Sequence, residues 1–126
     1  MIGLTLALAL SGAMPICPTG PRDNCVHDGD TFWFEGEKFR IAVIDTPELN
    51  GRCLYERRLA IRARNRLADL MGTAEGFELA RHGSDPFGRT LVTVTVNGRD
   101  IGQTLMRESL AKRWKRGQPI DWCEGR

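Results

Sequence analysis

Three short polar segments of this 126-residue chain carry residue types that could do chemistry. The segment at 28–31 places two aspartates around a glycine, and the segment at 40–48 runs from an arginine to Asp-Thr-Pro-Glu. The segment at 85–89 is a turn that ends in an arginine. Carboxylates without histidine or cysteine select a hard cation such as Ca²⁺ or Mg²⁺. Arginines bind phosphate through paired hydrogen bonds and a spare carboxylate can activate water, so the combination indicates phosphodiester hydrolysis.

The middle segment must bend if its charged residues are to meet. Arg40 lies five residues before Asp45 on one predicted strand. Alternation therefore places the two side chains on opposite faces unless a bulge intervenes. Pro47 ends that strand and places Glu48 in the following loop. Asp-Gly and Asp-Thr-Pro are also ordinary turn sequences, so no single segment identifies a site by itself.

The composition is that of a single globular domain. The chain is 41% hydrophobic and 27% charged, which excludes a disordered chain, a collagen and a coiled coil. No apolar run approaches the roughly 20 residues that a membrane-spanning helix needs. The formal charge is only +2, but residues 28–48 hold six acidic and two basic side chains. An acidic pocket on a basic remainder suits a cation together with a polyanion, although ordinary solvated surface can have the same distribution.

The first 13 residues resemble a targeting segment. Residues 2–13 are apolar or small throughout, which is typical of a signal-peptide core and too short to span a membrane. Ser11 and Ala13 are small residues at the positions that cleavage after Ala13 requires. No basic residue precedes the apolar run, and the alternating leucines at 4–10 also fit a strand. We expect a signal peptide at 1–13 and a single domain at 14–126.

Four cysteines agree with an exported protein. Cys17, Cys25, Cys53 and Cys123 are even in number and show no CxxC spacing, which argues against a zinc site. In an oxidising compartment they form two disulfides, for which three pairings exist. We expect Cys17–Cys25, which closes a short loop rich in proline and glycine, and Cys53–Cys123, which ties the C-terminal segment back. Four reduced thiols in a cytosolic protein are the alternative.

Hydrophobic periodicity predicts strands and helices after residue 24. The predicted strands cover 25–27, 31–34, 38–44, 74–80 and 89–96, and the predicted helices cover 55–71 and 101–112. Phe39, Ile41 and Val43 share one face of the third strand. Asp100 fits the N-cap of the second helix, with Gln103 completing a capping box. Five short strands with a helix after the third predict a β-rich α+β fold, a five-stranded OB-fold barrel with two α-helices.

Taken in order, the three polar segments resemble the staphylococcal nuclease (thermonuclease) family. The resemblance rests on Asp-Gly-Asp-Thr at 28–31, Phe-Arg-Ile-Ala-Val-Ile-Asp-Thr-Pro-Glu at 39–48 and Asp-Pro-Phe-Gly-Arg at 85–89. Residues 97–112 are similar to the last hairpin and following helix of that family. The similarity covers the chain from about Cys25 to Trp114.

The resemblance implies an SNase-like OB-fold barrel and Ca²⁺-dependent hydrolysis of DNA and RNA, with 3′-phosphate products. It assigns the carboxylates of Asp30 and Asp45 and the main-chain carbonyl of Thr46 to the calcium ion. Asp28 would lie outside these ligands and orient water on the ion.

The resemblance also assigns the groups that act on the phosphate. Glu48 would be the general base or would position the attacking water. Arg40 and Arg89 would hold the scissile phosphate and stabilise its charge in the transition state.

The aromatic residues depart from the family pattern. Phe87 stands where the family has a tyrosine, so a hydroxyl contact to phosphate is lost. The tyrosines expected after the last matched helix are absent, and Trp114 is the nearest aromatic residue. Weaker substrate contacts are therefore assigned to Phe87, Trp114 and the neighbouring Lys115, by base stacking and phosphate binding. Trp114 could instead cap the core.

The predicted function is an exported calcium-dependent nuclease, a monomer that is secreted or periplasmic, acts on DNA and RNA, and has no membrane span. The alternative is a non-catalytic OB-fold module that binds single-stranded nucleic acid. Because carboxylates repel phosphate, a pure binding module gains nothing from a cluster of acidic residues at the site, and the enzyme is favoured.

Overall fold

The computed structural model of the protein describes residues 14–73 and 76–125. The expected signal peptide at 1–13 lies outside these ranges. The strands within them are β1 (Cys25–Asp28), β2 (Thr31–Phe34), β3 (Glu37–Ile41), β4 (Ile44–Asp45), β5 (Glu78–Ser84), β6 (Thr90–Val96), β7 (Arg99–Asp100) and β8 (Lys112–Arg113). The helices are α1 (Leu54–Met71) and α2 (Ile101–Arg107). Neither of these helices has the length and apolar character needed to cross a membrane.

The strands form a mixed sheet and a small separate ladder. The main sheet has the order β1-β2-β3-β6-β5, and β7 also pairs with β6. β3 and β6 run parallel, whereas the other neighbours in this sheet are antiparallel. β4 and β8 pair antiparallel in the second ladder. The predicted α+β architecture with two helices is therefore confirmed.

The predicted closed five-stranded barrel is not confirmed, because β1 and β5 do not pair in the described part of the chain. Residues 15–17 occupy the second edge of β1 instead. The backbone N–H of Val26 donates to Pro15 O at 2.8 Å, and that of Cys17 donates to Val26 O at 2.9 Å. The Cys17–Cys25 disulfide holds this segment on β1. At Val26, this segment therefore uses the backbone groups that a pairing with β5 would need.

The core lies between the main sheet and α1. Phe32 and Phe39 are fully buried and stack with their ring centroids 5.2 Å apart. Ala63, Leu67 and Met71 of α1 are buried, as the helical spacing of the apolar residues predicts. The helix thus presents an apolar stripe to the sheet, and its arginines lie mainly on the other faces.

The first described residue is anchored to α1. Met14 is buried, with 4% of its surface exposed, and its backbone N–H donates to Ala68 O at 2.9 Å. Ala68 belongs to the last turn of α1, which carries no basic side chain. The segment that pairs with β1 is therefore also fixed to the helix end.

The second helix is shorter than predicted. Asp100 is its N-cap, as expected, and its carboxylate accepts a hydrogen bond from Gly102 N at 2.9 Å. The helix ends at Arg107 instead of continuing to residue 112. Ser109 adopts a φ of 63°, a left-handed conformation that an α-helix cannot continue through. The chain that follows forms β8.

Two strand predictions are wrong in their bounds. The strand expected at 74–80 forms later as β5, whose register pairs Glu78 with Thr95 of β6. The strand expected at 38–44 breaks after Ile41. Val43 adopts a φ of 78° and is 47% exposed, so it does not share the buried face of Phe39 and Ile41.

Both expected disulfides form. The Cα atoms are 4.8 Å apart in Cys17–Cys25 and 6.0 Å apart in Cys53–Cys123. Within the described ranges, every cysteine is paired. Structural disulfides persist in oxidising compartments, so the two bridges indicate an environment of the extracellular type.

Candidate active site

Arg40 lies at the centre of the candidate site. Its Nη1 atom donates to Ile41 O at 2.7 Å and to Ile44 O at 3.0 Å. Its Nη2 atom lies 3.5 Å from Asp30 Oδ2 and 3.7 Å from Asp45 Oδ1, and the side chain is only 13% exposed. One edge of the guanidinium is therefore fixed to the backbone, and the other faces two carboxylates.

The irregular residues between β3 and β4 bring Arg40 and Asp45 together. Ala42 N still donates to Val92 O at 2.8 Å, but Val43 has a positive φ and leaves the strand alternation. β-branched residues rarely adopt that conformation. The interruption at Val43 has the effect expected of a β-bulge, because it turns Asp45 to the same side of the chain as Arg40.

The turn between β1 and β2 carries two of the candidate carboxylates, Asp28 and Asp30. Asp30 is 6% exposed, and its backbone N–H donates to Asp28 Oδ1 at 3.1 Å. A Cβ atom on Gly29 would lie 2.8 Å from Ala63 Cβ and 3.0 Å from Thr46 Cβ. Only glycine fits there, because the turn lies directly against α1 and the start of the loop after β4.

The loop after β4 places the remaining predicted residues next to this turn. Thr46 is buried and its backbone N–H donates to Asp45 Oδ1 at 3.0 Å. Glu48 lies at the exposed rim two residues later. Although Glu48 as a residue is exposed, partial desolvation of its carboxyl raises its pKa, and the charges of Asp30 and Asp45 raise it further.

The same two effects act on the other acidic residues. Burial, followed by the charge of Asp30, raises the pKa of Asp28 to about 8. Burial and Asp30 also raise the pKa of Asp45, while the Arg40 guanidinium opposes the shift. These carboxyl groups thus lie in a field of excess negative charge, which a bound cation would reduce.

The donor set fits a hard divalent cation held by few protein ligands. Among the described residues, no three His, Cys, Asp or Glu side chains converge as a ready metal-binding group. Two carboxylates, those of Asp30 and Asp45, do converge on one nitrogen of Arg40. Oxygen donors of this kind suit Ca²⁺, which completes its coordination with main-chain carbonyls and water.

Arg89 reaches the site from the turn before β6. Its Nε atom donates to Asp85 Oδ2 at 2.6 Å, and its backbone N–H donates to Asp85 Oδ1 at 2.9 Å. Its Nη1 atom lies 3.4 Å from Thr31 Oγ1, next to Asp30 in the chain. Burial alone would raise the pKa of Asp85, but the hydrogen bonds from Arg89 lower it overall. The ionised Asp85 side chain therefore holds Arg89 in place through these hydrogen bonds.

Three residues assigned to substrate contact lie at exposed edges. Phe87 is 80% exposed, and the Cζ atom of Arg89 lies 5.7 Å from its ring centroid. Trp114 is 50% exposed and its backbone N–H donates to Val43 O at 2.7 Å, beside the interrupted strand. Lys115 follows it and is exposed. Trp114 is too exposed to cover the core, whereas Trp122 is buried and packs against it.

Sequence reasoning missed Glu56. This residue is 5% exposed, and its two carboxylate oxygens accept hydrogen bonds from Glu48 N at 3.0 Å and Arg52 N at 3.2 Å. The signal available in the sequence was its position three residues after Cys53, the α1 N-cap. A capping box has this spacing but normally begins with serine or threonine. Because Cys53 stands at the N-cap, the sequence did not show the pattern.

A pocket of about 640 Å³ opens beside these residues. Asp45, Thr46 and Glu48 line one side, and the C-terminal residues 119–122 line the other. Arg52 Nη2 donates to Asp121 Oδ1 at 2.8 Å, and the Cys53–Cys123 bridge lies next to that contact. The C-terminal segment thus forms a fixed wall of the site.

Comparison with known protein families identifies the family to which this chain is similar. Residues 38–121 match the protein family described as staphylococcal nuclease homologue, and the matched range contains Arg40, Asp45, Glu48 and Arg89. Comparison with curated proteins gave no significant match. Members of the matched family are generally nucleases, which hydrolyse phosphodiester bonds, and are typically Ca²⁺-dependent. Since the match covers about two thirds of the chain, the protein belongs to the staphylococcal nuclease homologue family.

Proposed function

We propose that the protein is an exported, monomeric, calcium-dependent nuclease that hydrolyses phosphodiester bonds of DNA and RNA. The observation that carries this proposal is the position of the Arg40 Nη2 atom between Asp30 and Asp45. A cation site and a phosphate-binding group then share one place, as metal-assisted phosphodiester hydrolysis requires. Family membership and the two disulfides support the reaction class and the compartment.

The carboxylates of Asp30 and Asp45 and the main-chain carbonyl of Thr46 would hold the calcium ion. When bound, the ion would offset the negative charge of the site and of the phosphate. Asp28 accepts a hydrogen bond from Asp30 N, which keeps its carboxyl beside that ligand. We assign Asp28 to orienting water near the site.

Glu48 is the proposed general base. Its carboxylate would take a proton from the attacking water, and its raised pKa improves the match to that task. The residue lies on the exposed rim of the pocket, where water reaches it.

Arg40 and Arg89 would bind the non-bridging oxygens of the scissile phosphate and stabilise the additional charge of the transition state. The pairs of Arg40 with Asp30 and Asp45 are long for hydrogen bonds, so its Nη2 atom has donor capacity for a phosphate oxygen. The exposed Phe87 and Trp114 would stack on bases, and Lys115 would contact a flanking phosphate.

The direct test is hydrolysis of a single-stranded DNA oligonucleotide by residues 14–126 with Ca²⁺, with Mg²⁺ and with a chelator. Cleavage in Ca²⁺ that disappears in chelator and in Asp45→Ala is the expected result. Asp69→Ala, which removes an exposed carboxylate of α1, is the matched control and should cleave like the parent protein. Salt-sensitive DNA binding without cleavage would contradict the proposal and indicate a binding module.

A further inference from the structure

Glu56 is a buried acid whose partners lie outside its own helix. No described lysine or arginine forms an ion pair with it. Its Oε2 atom accepts from Glu48 N at 3.0 Å, and its Oε1 atom accepts from Arg52 N at 3.2 Å. Both ends of the 48–52 loop therefore donate a backbone hydrogen bond to the same buried side chain.

Packing fixes the loop on the same side chain. A Cβ atom on Gly51 would lie 2.5 Å from Glu56 Cγ, so the loop backbone rests directly on Glu56. Gly51 N donates to Glu48 O at 3.0 Å, and Arg57 Nη1 donates to Gly51 O at 2.9 Å. The loop therefore closes on itself around the Glu56 carboxylate.

The start of α1 holds Glu56 in place. Glu56 N donates to Cys53 Sγ at 3.4 Å, and Cys53 is bridged to Cys123. In an ordinary capping box, the glutamate would accept from the backbone N–H of the N-cap residue. Here its oxygens are committed to Glu48 and Arg52 instead, so Glu56 acts on the loop more than on the helix.

We propose that Glu56 is a positioning residue that fixes the backbone at Glu48 and thereby sets the direction of the Glu48 carboxylate toward the site. The inference rests on the proposed role of Glu48 as the base. It depends on a carboxylate at position 56, because the two N–H groups donate to different oxygens of the side chain, Oε2 and Oε1. A glutamine would offer one oxygen and turn an NH₂ group against the second N–H.

The test compares Glu56→Gln with Glu108→Gln, a matched control that removes the charge of an exposed glutamate paired with Arg66. Amide hydrogen exchange is measured on both variants with both disulfides intact. In Glu56→Gln, protection of the Glu48 and Arg52 amides should fall about tenfold or more, while that of Leu67 in α1 stays unchanged. In Glu108→Gln, the two loop amides should keep their protection.

Kinetics give the second readout. A small displacement of a catalytic group can cost about 100-fold in rate. Glu56→Gln should therefore lower kcat about 10- to 100-fold and leave KM within about twofold. In a Glu48→Gln background, the same substitution should cost less than about twofold, because a residue that acts through Glu48 has nothing left to position.

Unchanged protection of the Glu48 and Arg52 amides would overturn the proposal, and so would equal kcat losses in the two backgrounds. Glu56→Asp provides a second variant that keeps the charge but shortens the reach, and it should show the same loss of amide protection. Loss of the whole fold in both variants would also overturn the proposal, since Glu56 would then serve the domain and not the loop. If the parent protein cleaves no nucleic acid, the proposed function fails, while the exchange experiment still decides whether Glu56 fixes the loop.

Discussion

The Nη2 atom of Arg40 lies 3.7 Å from Asp45 Oδ1, although strand alternation would place the two side chains on opposite faces. Val43 makes the contact possible by taking a φ of 78°. A β-branched residue in that region costs on the order of 1–3 kcal/mol. The hydrogen bonds of Arg40 to Ile41 O and Ile44 O, on both sides of the interruption, offset that cost.

Replacing Arg40 by lysine should reduce both turnover and stability. Lysine keeps the charge but cannot bond two carbonyls and face two carboxylates at once. We expect kcat to fall about 100-fold or more and the free energy of unfolding to fall by about 1–3 kcal/mol. Steady-state kinetics and urea unfolding measure the two effects. Arg99→Lys, at an exposed position on β7, is the control, and a kcat within twofold of the parent would remove Arg40 from the site.

Gly29→Ala should destabilise the protein by about 1–3 kcal/mol, because the added methyl group overpacks the contact with Ala63 and Thr46. Urea unfolding gives the free energy. Ala63→Gly in the same chain should recover part of the loss, so the double variant should be more stable than the sum of the single effects predicts. Strict additivity would show that the turn does not depend on this close approach.

Asp85→Asn should destabilise the protein in a pH-dependent way. The pKa of Asp85 is lowered in the folded state by hydrogen bonds from Arg89, so the folded protein binds fewer protons here than the unfolded chain. The stabilisation is therefore complete above the unfolded pKa of about 4 and is lost as the pH falls through the lower folded value. We expect a difference of about 1–3 kcal/mol at pH 7 that disappears in acid.

Urea unfolding of the parent and the Asp85→Asn variant between pH 2 and pH 7 measures this difference. Asp69→Asn, at an exposed position, should give a nearly constant and smaller difference across the same range. A difference for Asp85→Asn that persists unchanged at the lowest pH would show that its charge does not stabilise the fold.

The two disulfides should differ in their contribution to stability. Cys53–Cys123 joins residues 70 apart in the chain, whereas Cys17–Cys25 joins residues 8 apart. The loop-closure model gives about 4.4 kcal/mol for the longer loop and about 2.6 kcal/mol for the shorter one. Paired serine substitutions at each bridge, followed by urea unfolding, test the order. A larger loss at Cys17–Cys25 would mean that local docking of residues 15–17 outweighs loop length.

Local patterns predicted the elements whose signals are contained in a few neighbouring residues. The apolar spacing in α1 and the Asp100 N-cap are confirmed, since both depend on short-range geometry. The closed barrel is not confirmed, and residues 15–17 pair with the second edge of β1 at Val26. The residues at 15–17 show no alternation of apolar and polar side chains that would predict their pairing with β1.

The candidate site was predictable as a set of residues but not as an arrangement. The three polar segments indicate the carboxylates and arginines, and the structure brings Asp30, Arg40 and Asp45 together. The positive φ of Val43 was not predictable, because valine is a strand-favouring residue and its backbone is set by tertiary contacts. Glu56 was missed for a related reason, since its partners lie in a loop whose path the sequence does not specify.

The hydrogen bond from Met14 N to Ala68 O has a consequence for maturation of the chain. Removal of the expected signal peptide after Ala13 would turn the Met14 amide into a free α-ammonium group at the same place. That group could still donate to Ala68 O, and it would bring a positive charge to the negative end of the α1 dipole, where no basic side chain lies. The newly formed amino terminus would then contribute on the order of 0.3–1 kcal/mol, so the processed protein would be more stable than its precursor.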